Sequence, residues 1–114
     1  ALPDSKVRDR FAAIMEGQMS AATYVERFGT SGYVADSVPF AVLIAVLGSR
    51  QPFMDSIRTV VESGGDTDTI GSIMGQIRGA CFGVADVPPL VESIDGISTI
   101  RKVTAEFVQA IRAM

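Results

Sequence analysis

The sequence predicts an all-α protein, on three observations. Apolar residues recur at the three- and four-residue spacing of a buried helix face along most of the chain. Serine, aspartate, proline and glycine stand where such helices would begin and end. No segment alternates apolar and polar residues for long enough to predict a strand. A chain of 114 residues also has the length of one domain, so we expect residues 1–114 to form a single helical domain.

Two helices are predicted before residue 30. The first begins behind Asp4 or Ser5, either of which can accept hydrogen bonds from the amides of the first turn. The second covers about residues 20–28 and ends at Gly29, where a left-handed backbone is expected. Residues 30–33 then form a loop. The apolar stripe of the first helix consists of Val7, Phe11, Ile14 and Met15.

The most apolar helix is predicted over about residues 36–47, with Asp36 or Ser37 as its cap and Pro39 in its first turn. Because it is apolar nearly all round, we expect it at the centre of the fold. Three further helices are predicted at about residues 52–62, at residues 66–81 and through residues 100–111. Their apolar stripes are Phe53, Ile57, Val60 and Val61; Ile70, Ile73, Met74, Ile77 and Cys81; and Ile100, Val103, Phe107, Val108 and Ile111.

Four glycines recur at every fourth position after residue 70: Gly71, Gly75, Gly79 and Gly83. A glycine within a helix costs about 0.5–1 kcal/mol relative to alanine, so this face needs a compensating contact. We expect the backbone of a neighbouring helix to approach it closely, as small residues allow between membrane helices. The alternative is a groove that accepts a ligand.

The composition excludes several classes of function for this chain. It has no histidine, which removes Ser-His-Asp and Cys-His catalytic sites and His-containing zinc sites. Its net charge of −3 comes with no stripe of basic residues, so nucleic-acid binding is not expected. The longest apolar run, residues 38–47, is too short to cross a membrane. The single cysteine, Cys81, forms no internal disulfide, which favours a reducing compartment and a cytoplasmic location.

A cluster of oxygen-bearing side chains follows two glycines at the start of the fifth predicted helix. It consists of Asp66, Thr67, Asp68 and Thr69, directly after Gly64 and Gly65. One interpretation is helix capping, in which Asp66 or Thr67 accepts the first free amides and acidic charge favours the positive end of the helix. Capping, however, needs only one side chain. The remaining oxygens suit a hard cation such as Mg²⁺ or Mn²⁺.

Other oxygen-rich motifs do not fit this cluster. An EF-hand loop beginning at Asp66 would need an oxygen ligand at Ile70 and a glutamate at Ile77. A phosphate-binding P-loop would need a Gly-Lys-Ser/Thr sequence, and no lysine is nearby. The Asp-x-Asp motif of sugar-nucleotide transferases usually lies in an α/β fold, which the periodicity does not predict. A magnesium-type site on a helical scaffold is the remaining interpretation.

Two blocks of sequence resemble the ADP-ribosylglycohydrolase family. GGDTDTI at residues 64–70, followed by a small-residue helix ending in GACFG at residues 79–83, is similar to the C-terminal signature of that family. GYVADSVPFA at residues 32–41 resembles the loop and helix that precede the signature. The resemblance covers residues 30–88. It implies an all-α orthogonal helical bundle, of which this chain is the C-terminal portion.

The resemblance also implies a site and a reaction. Asp66, Asp68 and Thr69 match metal ligands of the family, which holds two Mg²⁺ or Mn²⁺ ions, and Asp68 is the ligand expected to contact both. Gly32 and Tyr33 match the lining of the ADP-ribose pocket, although packing within the protein is favoured over ligand contact as the role of Tyr33. The family hydrolyses the glycosidic bond that joins ADP-ribose to an acceptor, which is a protein side chain or a small molecule.

Members of the family are longer than this chain, and their remaining metal ligands and catalytic acid or base lie in an N-terminal portion. The Gly-Asp-x-x-Gly and Thr-Asp-Asp-Thr segments of that portion do not occur here. We therefore expect the chain to need that portion, or a companion chain, as its partner and to have little activity by itself. Two alternatives remain open: a non-catalytic helical module for binding or assembly, and a family member that acts on another substrate.

Overall fold

Six α-helices and no strand make up the computed structural model, which describes residues 5–114. The helices are α1 (Lys6–Glu16), α2 (Ala21–Phe28), α3 (Val34–Leu47), α4 (Phe53–Ser63), α5 (Thr67–Phe82) and α6 (Ile97–Arg112). Two 3-10 turns, Val84–Asp86 and Pro89–Ser93, connect α5 to α6. Ser5 caps α1 by accepting a hydrogen bond from the amide of Arg8, and the other candidate cap, Asp4, lies outside the described residues. The predicted all-α class is confirmed.

The apolar helix α3 lies at the centre of the fold, as its sequence predicts. It packs against α1, α2, α4 and α5. Phe40 and Ala41 of α3 are fully buried and share one hydrophobic core with Ile70 and Met74 of α5. This core fixes α5, whose first turn carries the oxygen cluster, against α3.

The predicted start of α3 at Asp36 or Ser37 is wrong. The helix begins at Val34, and neither of those side chains caps it. The carbonyl of Tyr33, a residue with extended backbone, accepts the amides of Asp36 and Ser37 at 2.9 Å each. The helix therefore begins two residues before Asp36 and three before Ser37, directly after the loop that residues 30–33 form.

The earlier start places Pro39 in the second turn of α3 rather than the first. Proline has no amide hydrogen, so the carbonyl of Ala35 lacks the partner it would have in a regular helix. The hydroxyl of buried Tyr24 donates to the carbonyl of Asp36 at 2.8 Å and reaches that of Ala35 at 3.4 Å. Burial raises the pKa of Tyr24 to about 12, so the phenol stays protonated and able to donate near neutral pH.

Three residues of the stripes predicted for α1, α4 and α5 lie at the surface. Met15 and Val61 are 85% and 62% exposed, and Cys81 is exposed as a free thiol. All three lie in the last turn of their helices. Helical spacing alone therefore overestimates how far each buried stripe extends.

The glycine face of α5 meets side chains of α4, and the predicted close approach of a helix backbone is wrong. A Cβ added at Gly71 would lie 3.9 Å from Val60, and one added at Gly75 would lie 3.6 Å from the ring of Phe53. Gly79 and Gly83 have no such neighbour within 4 Å among the described residues. Only the first half of this face is therefore used for packing.

Arg78 of α5 is buried although it carries a charge, because its guanidinium is surrounded by acceptors. Nε and Nη2 donate to the two carboxylate oxygens of Asp86 at 2.9 and 2.7 Å. Nη2 also donates to the carbonyl of Gln51 at 2.9 Å, and Nη1 donates to the carbonyl of Gly48 and to the hydroxyl of Ser56. Hydrogen bonding to Arg78 holds the pKa of Asp86 below its ordinary value. The arginine thereby fastens the end of α5 to the α3–α4 connection.

Helix α6 has the predicted apolar stripe, but nothing in residues 5–114 covers it. Its substantial contact within this part of the chain is with the Pro89–Ser93 turn, where Arg101 pairs with Glu92. The five stripe residues are all exposed: Ile100, Val103, Phe107, Val108 and Ile111. None of the described helices has the length and apolar character needed to span a membrane.

Candidate functional site

The oxygen cluster at the start of α5 is presented by a turn that requires glycine. Gly64 and Gly65 follow α4 with φ of +70° and +74°, in the left-handed region that other residues rarely adopt. A Cβ on Gly65 would lie 2.1 Å from the carbonyl oxygen of Thr30, so no larger residue fits there. The two glycines therefore bring the start of α5 against the loop that precedes α3.

Thr30 joins these two loops through two hydrogen bonds. The amide of Asp66 donates to the carbonyl of Thr30 at 2.7 Å, and the hydroxyl of Thr30 donates to the carbonyl of Gly64 at 2.9 Å. Thr30 itself is buried, with 7% of its surface exposed. The sequence places Thr30 in a loop, but nothing in the residues around Thr30 predicts a hydrogen bond to the distant loop that contains Gly64.

The capping interpretation is wrong for Asp66 and Thr67, neither of which caps α5 with its side chain. Asp66 stands directly before the first residue of α5, yet its carboxyl group makes no capping hydrogen bond to that helix. Asp68 instead accepts a hydrogen bond from the adjacent amide of Thr69 at 2.9 Å. Asp66 is half-buried and Asp68 is exposed. The side chain of Asp66 therefore makes no bond to the first-turn amides of α5, whereas Asp68 accepts one of them and places a negative charge at the positive end of the helix.

The carboxyl group of Asp66 affects the ionisation of Asp68. Hydrogen bonding with Asp66, and then with the amides of Thr69 and Asp68, holds the pKa of the Asp68 carboxyl below its ordinary value. Two carboxyl groups this close are favourable when a proton or a cation lies between them, because two ionised carboxylates repel each other. The arrangement suits a bound cation.

The donor set fits a hard divalent cation in part. Asp66 and Asp68 offer carboxylate oxygens and Thr69 offers a hydroxyl, which are the ligand types that Mg²⁺ and Mn²⁺ prefer. The first turn of α5 keeps Asp68 and Thr69 adjacent and exposed. Residues 5–114 contain no group of three or more His, Cys, Asp or Glu placed to hold a metal. An ion at these residues would therefore have coordination positions left for other ligands.

Gly32 and Tyr33, the predicted pocket residues, lie beside this cluster. A Cβ on Gly32 would lie 3.0 Å from Oδ2 of Asp66, so glycine keeps the approach to that carboxylate open. The ring of Tyr33 is 52% exposed, with Nζ of Lys6 at 5.8 Å from its centre. Core packing is therefore not the role of Tyr33, and its ring is accessible to a ligand.

Asp36, predicted as a helix cap, instead fixes the loop that carries Tyr33. Its carboxylate accepts a hydrogen bond from the hydroxyl of Ser31 at 2.8 Å and one from Arg10 of α1 at 3.4 Å. The hydroxyl of Ser31 in turn accepts the amide of Tyr33 at 3.2 Å. From the sequence alone, an aspartate at a loop–helix junction is expected to cap the helix. The bond of Asp36 to Arg10 depends on where α1 packs, which the sequence around Asp36 does not indicate.

Two comparisons with known proteins identify similar sequences. The family model for ADP-ribosylglycohydrolases matches residues 1–113. The ADP-ribosylarginine hydrolase Tri1 of Pseudomonas putida (strain GB-1) is 34% identical over 82 residues, which cover 71% of this chain and 22% of that protein. The chain therefore spans less than a quarter of the length of this curated relative. No solved structure matches the chain at a significant level.

Proposed function

The chain belongs to the ADP-ribosylglycohydrolase family, and from this membership we propose that it forms part of the active site of an enzyme that releases ADP-ribose from an acceptor by hydrolysis of the glycosidic bond. In that enzyme Asp66, Asp68 and Thr69 hold Mg²⁺ or Mn²⁺, and Gly32 and Tyr33 contact ADP-ribose. The acceptor to test first is an arginine side chain, because the Pseudomonas relative is named an ADP-ribosylarginine hydrolase.

One observation carries this proposal: Asp66 directly precedes α5 without capping it, its Oδ2 lies against the open position at Gly32, and its carboxyl interacts with that of Asp68. Asp68 accepts one free amide of the first turn, that of Thr69, and helix stability needs no more than one such bond. The chain therefore leaves Asp66, whose carboxyl group accepts none of the helix amides, beside an accessible loop. A divalent cation is the ligand that makes this arrangement favourable.

Each residue of the proposed site has a distinct task. The carboxylates of Asp66 and Asp68 offset the charge of the cation, and the hydroxyl of Thr69 adds a neutral oxygen. Gly32 leaves room for a ribose near Asp66, while Tyr33 offers a ring face for stacking on the adenine. A bound divalent cation supplies Lewis acidity and lowers the pKa of water.

The site is completed by acidic residues from another segment of the protein or from a companion chain. Two octahedral ions have more coordination positions than Asp66, Asp68 and Thr69 can fill. No further acidic group accompanies these residues in the described part of the chain. The chain by itself is therefore expected to bind cations weakly and to catalyse little hydrolysis.

A non-catalytic assembly module is the second candidate function, and helix α6 favours it. Phe107 and Val103 in its stripe are 64% and 58% exposed. Exposed apolar surface of this kind marks interaction sites in soluble proteins. On this alternative the chain retains the family fold but binds neither cations nor ADP-ribose.

Binding of ADP-ribose separates the two candidates. We expect the chain to bind ADP-ribose more tightly in Mn²⁺ than in EDTA, measured by isothermal titration calorimetry. Tyr33→Ala should weaken the Mn²⁺-dependent binding about tenfold, since stacking of a base on an aromatic ring contributes about 1–3 kcal/mol. Tyr33→Phe keeps the ring and should retain the affinity.

Because Tyr33 is exposed, neither variant removes a core side chain, and a change in affinity can be attributed to the loss of the ring. Circular dichroism checks that both variants are folded. Equal binding of ADP-ribose with and without Mn²⁺, or no binding in either solution, would contradict the hydrolase proposal and favour the assembly module.

A further inference from the structure

Thr30 is the one residue that contacts the diglycine turn and also belongs to the loop that carries Gly32 and Tyr33. Its carbonyl accepts the amide of Asp66, and its hydroxyl donates to the carbonyl of Gly64. Two residues later in the chain, Gly32 lies against Oδ2 of Asp66. The two loops beside the proposed cation site are therefore joined through one buried residue, which uses both its main-chain carbonyl and its side-chain hydroxyl.

The turn needs such a contact because glycine is the least restricted residue. Gly64 and Gly65 can adopt both left-handed and right-handed backbone conformations at little cost, so two in succession do not by themselves select one path into α5. The space that a Cβ would occupy at Gly64 is open, and the backbone bonds from the amide of Gly64 to the carbonyl of Val61 and from the amide of Thr67 to that of Gly65 hold only the two ends of the turn. The hydroxyl of Thr30 adds a restraint at its middle by holding the carbonyl of Gly64.

We propose that Thr30 is a positioning residue, whose hydroxyl selects the conformation of Gly64 and Gly65 that places the Asp66 carboxylate beside Asp68 and Gly32. This inference rests on the proposed function, because the benefit of that placement is cation binding. Thr30 does not contact the cation. It acts through the turn that precedes Asp66.

Replacement of the hydroxyl tests this role through two independent measurements. Thr30→Ala and Thr30→Val both remove the donor, and the second keeps the branched shape of the side chain. We expect each to weaken Mn²⁺ binding about 10–100-fold, the loss typical when a residue that orients a metal ligand is removed. We also expect faster hydrogen exchange of the Asp66 amide in the absence of metal. Thr30→Ser restores the hydroxyl and should rescue both properties.

Thr59→Ala is the matched control, because the hydroxyl of Thr59 also donates to a backbone carbonyl, that of Asp55, at 3.0 Å within α4. It should change neither the Mn²⁺ affinity nor the exchange of the Asp66 amide. Equal effects of Thr30→Ala and Thr59→Ala would overturn the inference, since a general loss of stability would then account for both.

Failure of this inference is distinguishable from failure of the proposed function. If Asp68→Asn abolishes Mn²⁺ binding while the Thr30 variants retain it, the role of Thr30 is wrong and the metal site stands. If the unmodified chain binds no Mn²⁺, the proposed function fails for this chain, and hydrogen exchange decides the role of Thr30. Unchanged exchange of the Asp66 amide in Thr30→Ala would then overturn it, and faster exchange would support it.

Discussion

Arg78→Ala is expected to lower the free energy of unfolding by about 3–5 kcal/mol, as when one partner of a buried ion pair is removed. The whole stability of a small domain is only about 5–15 kcal/mol, so this variant should be close to unfolding at room temperature. Arg78 is 2% exposed, so its removal leaves buried acceptors without their donor. It is the charged side chain on which the packing of α5 most depends.

The loss has two physical sources. Asp86, whose side chain is 14% exposed, would keep its negative charge without the guanidinium, and the two carbonyls of the α3–α4 connection would lose their donor. The rings of Phe53 and Phe82, which lie 5.7 and 5.3 Å from the guanidinium, would border a cavity.

Urea unfolding followed by circular dichroism measures this effect. Arg101→Ala is the control, because Arg101 also pairs with an acidic residue, Glu92, but its side chain is 58% exposed. Exposed pairs contribute about 0.2–1 kcal/mol, so the free energy of unfolding of this variant should remain close to that of the unmodified chain. Similar losses of unfolding free energy in both variants would contradict the role of Arg78 as the residue that holds α5 in place.

Asp68→Asn is expected to weaken Mn²⁺ binding by at least about 100-fold, beyond the loss typical for a residue that only orients a ligand. The amide keeps the size of the side chain but removes the charge and one acceptor oxygen, and hard cations depend on both. Because Asp68 is exposed and asparagine can still accept the amide of Thr69 through its side-chain oxygen, the fold should be unaffected. Isothermal titration calorimetry with Mn²⁺ gives the affinity.

Asp55→Asn provides the matched control for this prediction. Asp55 lies in the first turn of α4, as Asp68 lies in the first turn of α5, so both changes remove one negative charge from a helix start. No second acidic residue or glycine turn accompanies Asp55 there. Equal Mn²⁺ affinities for Asp68→Asn and Asp55→Asn would contradict the assignment of Asp68 as a ligand.

Helical spacing predicts the fold well where a helix is covered along its length. The position of α3 at the centre follows from its apolar run, and the end of α2 follows from Gly29, whose φ is +79°. Helical spacing does not predict burial at the ends of helices, because the apolar pattern in the sequence continues beyond the last residue that packs against a neighbouring helix. Met15 is an example. Helical spacing also fails at the start of α3, where Pro39 is tolerated in the second turn because the hydroxyl of Tyr24 in α2 reaches the carbonyl of Ala35, which Pro39 leaves without a donor.

The candidate site is predictable only as far as its members are adjacent in sequence. Asp66, Asp68 and Thr69 form a visible cluster, but the approach of Gly32 to Asp66 depends on how two loops pack, which Thr30 determines. Arg78 is similar: burial of a charged residue becomes favourable only because the chain turns after α5 and returns Asp86 to it, eight residues later. Such contacts leave no periodic pattern in the sequence from which they could be predicted.

The most direct test of the cation site is a crystal of the chain grown or soaked with Mn²⁺ and measured near the manganese absorption edge. We predict an anomalous difference peak within about 2.5 Å of carboxylate oxygens of both Asp66 and Asp68, as inner-sphere coordination requires. A structure in which these two carboxylates point apart with no peak between them, at a Mn²⁺ concentration that saturates binding in solution, would contradict the account.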